Sequence, residues 1–304
     1  MPGPVTVIGG ANTDILGFIE RSLVQCDSNP GHVRTSAGGV GRNIAENLAR
    51  LGVVTRLVTA LGDGPEADAL AAGCANVGIA VHSVPTPGLA GSRYLAIMDN
   101  RGDLALAVSD MCALEALTPT ALDESASVID DATLIVLDAN IPAETLAHVA
   151  TRWAGKPIFL DTVSVAKAPR ALGLLGALHT VKTNELEAAA LAGTAPGAIE
   201  AAVDAFLGAG AGRVVITGGI AGALFATAAG RVRFVPPPAR VVNATGAGDA
   251  YMAGLVYAEL AGFDTTHAAA FSSAMAALAL ASERTVSEEI AEATALEMME
   301  TMLS

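Results

Sequence analysis

Short apolar runs rich in Val, Ile and Leu recur at Val5–Ile8, Arg56–Ala60, Leu134–Leu137, Ile158–Leu160, His179–Val181 and Val214–Thr217, with segments of helical spacing between them. Runs this short are strands buried on both faces, and strands alternating with helices assemble into a mostly parallel sheet with helices on both sides. The expected class is therefore α/β. From Arg42 to Leu51 the apolar positions Ile44, Ala45, Leu48 and Leu51 share one face of a helix packed on the sheet, and Gly52 ends it. After Gly246 to Gly248 the pattern is almost wholly helical, with a core stripe at Ala253, Val256, Tyr257 and Leu260.

Two stretches leave this alternation, about 15–37 and 92–111. In the second, Tyr94–Met98 and Leu104–Val108 flank Asp99-Asn100-Arg101-Gly102-Asp103, whose turn chemistry reads as a hairpin. A few strands outside the main sheet cannot bury both faces, so they are expected to cover a site, to pair with a second copy, or both. They read as a lid on a single domain spanning 1–304. The alternate apolar positions Leu95, Ile97, Leu104 and Leu106 point to a homodimer formed through two such lids. Pro236-Pro237-Pro238 reads as a stiff connector between a strand pair and the final helices.

Composition narrows the partners. The chain has 304 residues, of which 52% are hydrophobic, enough for one large core. Seventeen Lys+Arg against 31 Asp+Glu give a formal net charge of −14, which disfavours nucleic acid polymers and anionic membranes and leaves small molecules. The longest apolar stretch, about Ala268 to Ala281, is too short for a bilayer and carries Ser272 and Ser273, so no membrane association is expected. Cys26, Cys74 and Cys112 are odd in number and far apart, which fits neither a disulfide framework nor a structural zinc. With no basic n-region in Met1-Pro2-Gly3-Pro4, no signal peptide is expected and the cytoplasm is the default compartment.

The sharpest chemical signal is Asn243-Ala244-Thr245-Gly246-Ala247-Gly248-Asp249 at a helix start. Small residues there let successive N–H groups converge, and with the helix dipole they make an anion site without basic side chains. Asp249 beside a bound phosphate suits a base that takes a proton from an attacking hydroxyl, although a helix cap would also place an Asp there. Gly38-Gly39-Val40-Gly41-Arg42-Asn43 also enters a helix, and its glycines allow a ligand to approach the backbone. Asn12 and Asp14 follow the first strand, where they could hold vicinal hydroxyls or merely form an Asx turn. Asn184 and Glu187 share a helix face and could orient water on a nucleotide-bound Mg²⁺, or form an ordinary cap. Thr217-Gly218-Gly219-Ile220-Ala221-Gly222 is a tight turn able to cradle phosphate, and no Walker-type motif exists.

Together these segments resemble the ribokinase-like, or PfkB, family of carbohydrate kinases: Gly38 to Asn43 is similar to its first signature and Thr245 to Asp249 to its second. Asn184 with Glu187, and Thr217, Gly219 and Gly222, match its N-x-x-E and T-x-G-x-x-G motifs in order. Further segments, Asp27 to Gly31, Gly38 to Ile44, Ser109 to Met111, Asp161 to Lys167 and Leu178 to Lys182, resemble the branch that acts on the nucleoside pseudouridine. The resemblance implies a central sheet with a small β lid, and transfer of the γ-phosphate of ATP to the 5′ hydroxyl of a ribosyl group. It implies Asp249 as base, the amides of Gly246, Ala247 and Gly248 as anion hole, and Asn184 with Glu187 serving Mg²⁺ and phosphate, Glu187 through water. Asn12, Asp14, Gly38, Gly39 and Asn43 would hold the sugar, with Ser28, Asn29, Asp161 and Lys167 at the base or acceptor end. Thr217, Gly219 and Gly222 would face the nucleotide. Asn243 stands where many members carry Asp, which bears on a monovalent-cation site for an ion such as K⁺, and the turn at Gly218 to Gly222 lacks the Lys often seen there.

The alternatives are a kinase of the same fold acting on ribose, a hexose or adenosine, a nicotinamide-dependent oxidoreductase suggested by Gly9-Gly10, and a non-catalytic binding protein. The G-x-G-x-x-G spacing is missing from the first strand's turn, and Asp249, Asn184 and Glu187 are all present.

Overall fold

The computed structural model describes residues 3–304; Met1 and Pro2, part of the segment in which no leader is expected, lie outside the described residues. Thirteen strands fall into two sheets. In chain order they are β1 Val5–Ile8, β2 Asn12–Ile19, β3 Gly31–Gly38, β4 Thr55–Thr59, β5 Ala80–Ser83, β6 Arg93–Met98 and β7 Leu104–Asp110. There follow β8 Leu134–Asp138, β9 Ile158–Asp161, β10 Thr180–Asn184, β11 Arg213–Thr217, β12 Ala223–Thr227 and β13 Gly230–Phe234. The larger sheet runs β13-β12-β11-β10-β9-β8-β1-β4-β5. All its pairings are parallel except those of β12 with β11 and with β13.

The apolar runs read from the sequence are the buried strands of this sheet: β1 and β8 are buried at every position. Most bounds shift by a residue, one run lengthens further, and β5 has no counterpart among those runs. β10 continues past Val181 to Asn184 because its side chains stay buried through Thr183, which puts Lys182 inside the strand rather than at its end. β5 is an exposed four-residue edge with the mixed sequence AVHS, too short and too polar for periodicity to mark.

Apolar clusters pack on both faces of the sheet. One joins helices Val40–Arg50, Ala247–Ala261 and Thr265–Leu280, and the other centres on Trp153, Leu146 and Phe206. The helix Val40–Arg50 buries Ile44, Ala45, Leu48 and Leu51, and Gly52 follows in the left-handed region, φ 77°. Helix Ala247–Ala261 is not a one-sided stripe: every residue from Asp249 to Ala258 is buried, because the other two helices of its cluster close over it. A Cβ on Gly254 would lie 2.6 Å from Ser272 Cα, so glycine permits that close crossing.

The second sheet, β3-β2-β6-β7, is built from the two stretches that interrupt the alternation. β6 and β7 are antiparallel about the Asp99–Asp103 turn, and β2 runs parallel to β6. Its outer strand β7 is exposed throughout, with Leu104 at 56% and Leu106 at 63%, while Ile97 is half-buried.

The strand order reverses direction at β1, which lies between β8 and β4. In an open α/β sheet that reversal opens a crevice at the carboxyl ends of the strands.

Candidate active site

Asp138, at the end of β8, is fully buried in this crevice. Its Oδ2 accepts the N–H of Gly10 at 2.8 Å and of Gly41 at 2.7 Å, and Oδ1 accepts that of Asn140 at 2.8 Å. A Cβ on Gly9 would stand 2.5 Å from that carboxylate, so the glycine after β1 makes room for a clamp that ties β1 to helix Val40–Arg50. Beyond the clamp Asn12 Nδ2 donates to Asp14 Oδ1 at 2.6 Å, and Gly38 pairs with Asn12 across β2 and β3. Burial raises the pKa of Asp14, opposed by the Asn12 bond and by Arg42. Gly39 has φ 100° and packs its Cα on the Gly10 carbonyl and Ala11, where any side chain would overlap backbone. Asn12, Asp14, Gly38 and Gly39 thus form one polar corner of the crevice.

The opposite wall is the start of helix Ala247–Ala261. Gly246 takes the left-handed conformation, φ 86°, and turns the chain so that the following amides open the helix. Asp249 lies in the first turn, 9% exposed, and its Oδ2 accepts from Asn43 Nδ2 at 2.7 Å. Burial, reinforced by Asp161, raises the Asp249 pKa from 3.8 to about 7, against the Asn43 bond and Lys182, which lower it. Asn43 cannot flip: its Oδ1 accepts from Arg42 Nη2 at 2.5 Å, and Arg42 is held by Glu46 at 2.8 Å.

Lys182 corrects the expectation of an anion site without basic side chains. Its Nζ donates to Asp161 Oδ2 at 2.9 Å and lies 2.9 Å from where a Cβ on Gly248 would stand. Burial opposes the ammonium, but Asp161, Asp249 and Glu187 outweigh it and raise the pKa, so a charged amine lies beneath the start of helix Ala247–Ala261. Asp161 Oδ1 accepts the N–H of Val163, which holds the left-handed φ of 65°. A β-branched residue there is strained, and such strain collects at functional turns.

Asn184 and Glu187 close a full capping box: Glu187 Oε1 accepts from Asn184 Nδ2 at 2.7 Å, and Oε2 from the Asn184 N–H at 3.1 Å and from Thr162 Oγ1 at 2.7 Å. Lys167 bonds Asn140, in the turn two residues past the end of β8, and burial lowers its pKa. Ser28 and Asn29 sit apart, in the exposed loop between β2 and β3. The Asn29 amide is engaged within that loop, with Val24 and Asp27. The Asn243 side chain accepts the Thr245 N–H at 2.9 Å through Oδ1 and donates through Nδ2 to the Glu283 carbonyl at 3.3 Å.

Beside the Ala247–Gly248 amides opens a cavity of about 320 Å³ whose lining is mostly apolar and includes Thr217, Gly219 and Gly222. Gly222, φ 79°, packs on the Phe234 carbonyl of β13, and Thr217 Oγ1 donates to the Thr183 carbonyl at 3.2 Å. A carboxylate poised near neutrality, a cationic anion site and an adjoining apolar cavity together suit transfer of a phosphoryl group to a hydroxyl.

Asp138, Thr162, Arg42 and Lys182 are among the residues here that do not stand out in the sequence as site groups. Lys182 was within reach: it stands two positions before the N-x-x-E pair, and a lysine in a strand among apolar neighbours calls for a buried partner.

The comparison with known proteins gives the class: the family model described as pfkB family carbohydrate kinase matches residues 4–291, and the chain belongs to that family, phosphotransferases that act on an alcohol group. Among curated relatives, the pseudouridine kinase of Escherichia coli (strain K12) is 36% identical over 301 residues, 97% of this chain and 96% of that one. A carbohydrate kinase from Agrobacterium tumefaciens superposes with a TM-score of 0.88 at 28% identity, covering 99% of this chain and 98% of that one. The Arabidopsis thaliana ribokinase complexed with ribose and ATP superposes at 0.84 over 99% of both chains, at 22% identity, and shares the ribokinase-like fold. Among the described residues no helix is long and apolar enough to cross a membrane.

Proposed function

We propose that this sugar or nucleoside kinase transfers the γ-phosphate of ATP to the 5′ hydroxyl of pseudouridine, giving pseudouridine 5′-phosphate. The observation that carries the chemistry is the Asp249 carboxylate, buried at a Gly-rich helix start with a pKa raised to about 7. Asp249 takes the hydroxyl proton as the oxygen attacks the γ-phosphorus, and the bond to the β,γ-bridging oxygen breaks to release ADP. The amides of Gly246, Ala247 and Gly248, with Lys182 beneath them, stabilise the charge on the transferring group. Asn12, Asp14, Gly38, Gly39 and Asn43 grip the ribosyl hydroxyls, while Asn184, Thr217, Gly219 and Gly222 face the nucleotide.

Mg²⁺, when bound, neutralises phosphate charge. Glu187 has three of a carboxylate's roughly four acceptor sites filled. That set fits orienting a water on a phosphate-bound ion better than ligating it directly. Asn243, bonded to Thr245 and Glu283, brings no charge to a monovalent cation such as K⁺.

The choice of pseudouridine is supported by the identity to the E. coli enzyme along nearly the whole of both chains. Ser28, Asn29, Asp161 and Lys167 are the proposed readers of the base. Asp161 is tied to Lys182 and Val163, so it acts by holding its turn, and Lys167 reaches the acceptor side from that turn. Rates on pseudouridine, uridine, ribose and adenosine test this: uridine, lacking the additional base N–H, is expected to fall about ten- to a hundred-fold in kcat/KM. Equal activity on ribose and pseudouridine would overturn the substrate and leave a kinase of another sugar or nucleoside.

The second sheet is proposed as a lid that excludes water, and its exposed Leu95, Leu104 and Leu106 as the contact of a C2 homodimer. Light scattering at low micromolar concentration is expected to give twice the chain mass. The three cysteines are all free, which suits a reducing compartment such as the cytoplasm.

A further inference from the structure

The cavity beside the anion hole has a lining unusual for a pocket that must recognise a base. Its walls are Pro236, Pro237, Ala276, Ala277 and Leu280 with small residues between them, and it holds no amide, imidazole, carboxylate or cationic side chain. Its polar side chains are hydroxyls. Thr217 already donates to a backbone carbonyl, and Tyr251 offers its ring while its hydroxyl is buried beside Ser273. Among its backbone groups, Pro236 and Pro237 have no N–H, and the Gly222 amide donates within its own turn.

Discrimination between adenine and guanine requires groups of fixed polarity, because the two bases present opposite donor and acceptor patterns at the six position. A hydroxyl rotates to donate or accept as its partner demands. An apolar pocket separates ligands of like shape weakly, whereas one with committed donors and acceptors separates them by about 10⁴-fold or more. We infer that the donor site reads the nucleotide by its triphosphate and by the flatness of a purine, and accepts guanine nucleotides nearly as well as adenine nucleotides. This rests on the reading of the cavity as the donor site.

Calorimetric titration of the full chain with ADP and GDP, without acceptor, tests the inference independently of the acceptor. The expected result is binding of both, with dissociation constants within about 20-fold. ADP favoured by more than that overturns the inference and leaves the kinase reading standing; binding of neither overturns the donor site itself. Ala277→Leu, which fills the cavity from the half-buried helix face, is expected to weaken ADP and GDP by a similar factor and to leave the KM for acceptor unchanged. A loss confined to one nucleotide, or a rise in acceptor KM alone, counts against it. Ser273→Ala is expected to leave the ADP to GDP ratio within about 3-fold, and a larger change would show that this hydroxyl selects the base.

Discussion

Asn43 and Asp249, 206 positions apart in the chain, meet through one hydrogen bond of 2.7 Å, with Asn43 Nδ2 donating to the carboxylate. Burial raises the Asp249 pKa to about 7 against the pull of that bond, so the bond bears on how much of the carboxylate is ionised near neutral pH. Replacing Asn43 with Ala is expected to raise the Asp249 pKa further. The acidic limb of the kcat/KM profile should then move to higher pH, and an unmoved limb would separate this contact from catalysis.

Asp249→Asn is expected to bind ADP nearly as the parent does while kcat falls by about 10²-fold or more. A near-normal kcat would reduce Asp249 to a helix cap.

The same variant has an expected signature in stability. Asp249 titrates near 3.8 in the unfolded chain and near 7 in the folded one, so the folded protein holds the extra proton between those values. Its contribution to stability is complete below about pH 4 and is lost as pH rises through 7. Relative to the parent, Asp249→Asn should therefore melt at a higher temperature at pH 8 than it does at pH 5. A constant difference in Tm would mean that the carboxyl does not change its proton affinity on folding.

Lys182→Met should destabilise the protein by about 3–5 kcal/mol, because it leaves Asp161 buried without its partner. Adding Asp161→Asn should recover much of the Tm without recovering kcat. Recovery of both would make the pair structural only.

Glu187→Gln keeps the hydrogen bonds to Asn184 and Thr162 in part but removes the charge, and should raise the Mg²⁺ concentration for half-maximal rate by about 10-fold or more. An unchanged requirement places the residue in the cap alone.

The parts of the site that lie in continuous sequence were legible before any fold was known. Gly38–Asn43 and Thr245–Asp249 each combine glycines, a helix start and two polar side chains within a few residues, so spacing alone carries their geometry. Asn12 and Asp14 were legible as a local pair for the same reason. What spacing does not carry is contact across strands: Lys182 meets Asp161 over 21 positions, and Asp138 gathers amides 97 and 128 positions away. Those meetings follow from which strands lie side by side. The setting of Ser28, exposed, and Asn29, half-buried, in one loop was also hidden, since a polar loop and a polar pocket have the same composition.

The burial of helix Ala247–Ala261 between two other helices also bears on how the chain matures during synthesis. The carboxylate at position 249 leaves the ribosome after every strand of both sheets has been made. Until that helix docks, the Asn43 amide has no carboxylate to donate to, and the amides that open the helix are not in place. Synthesis thus completes every strand of both sheets before the elements that the proposed chemistry needs can come together.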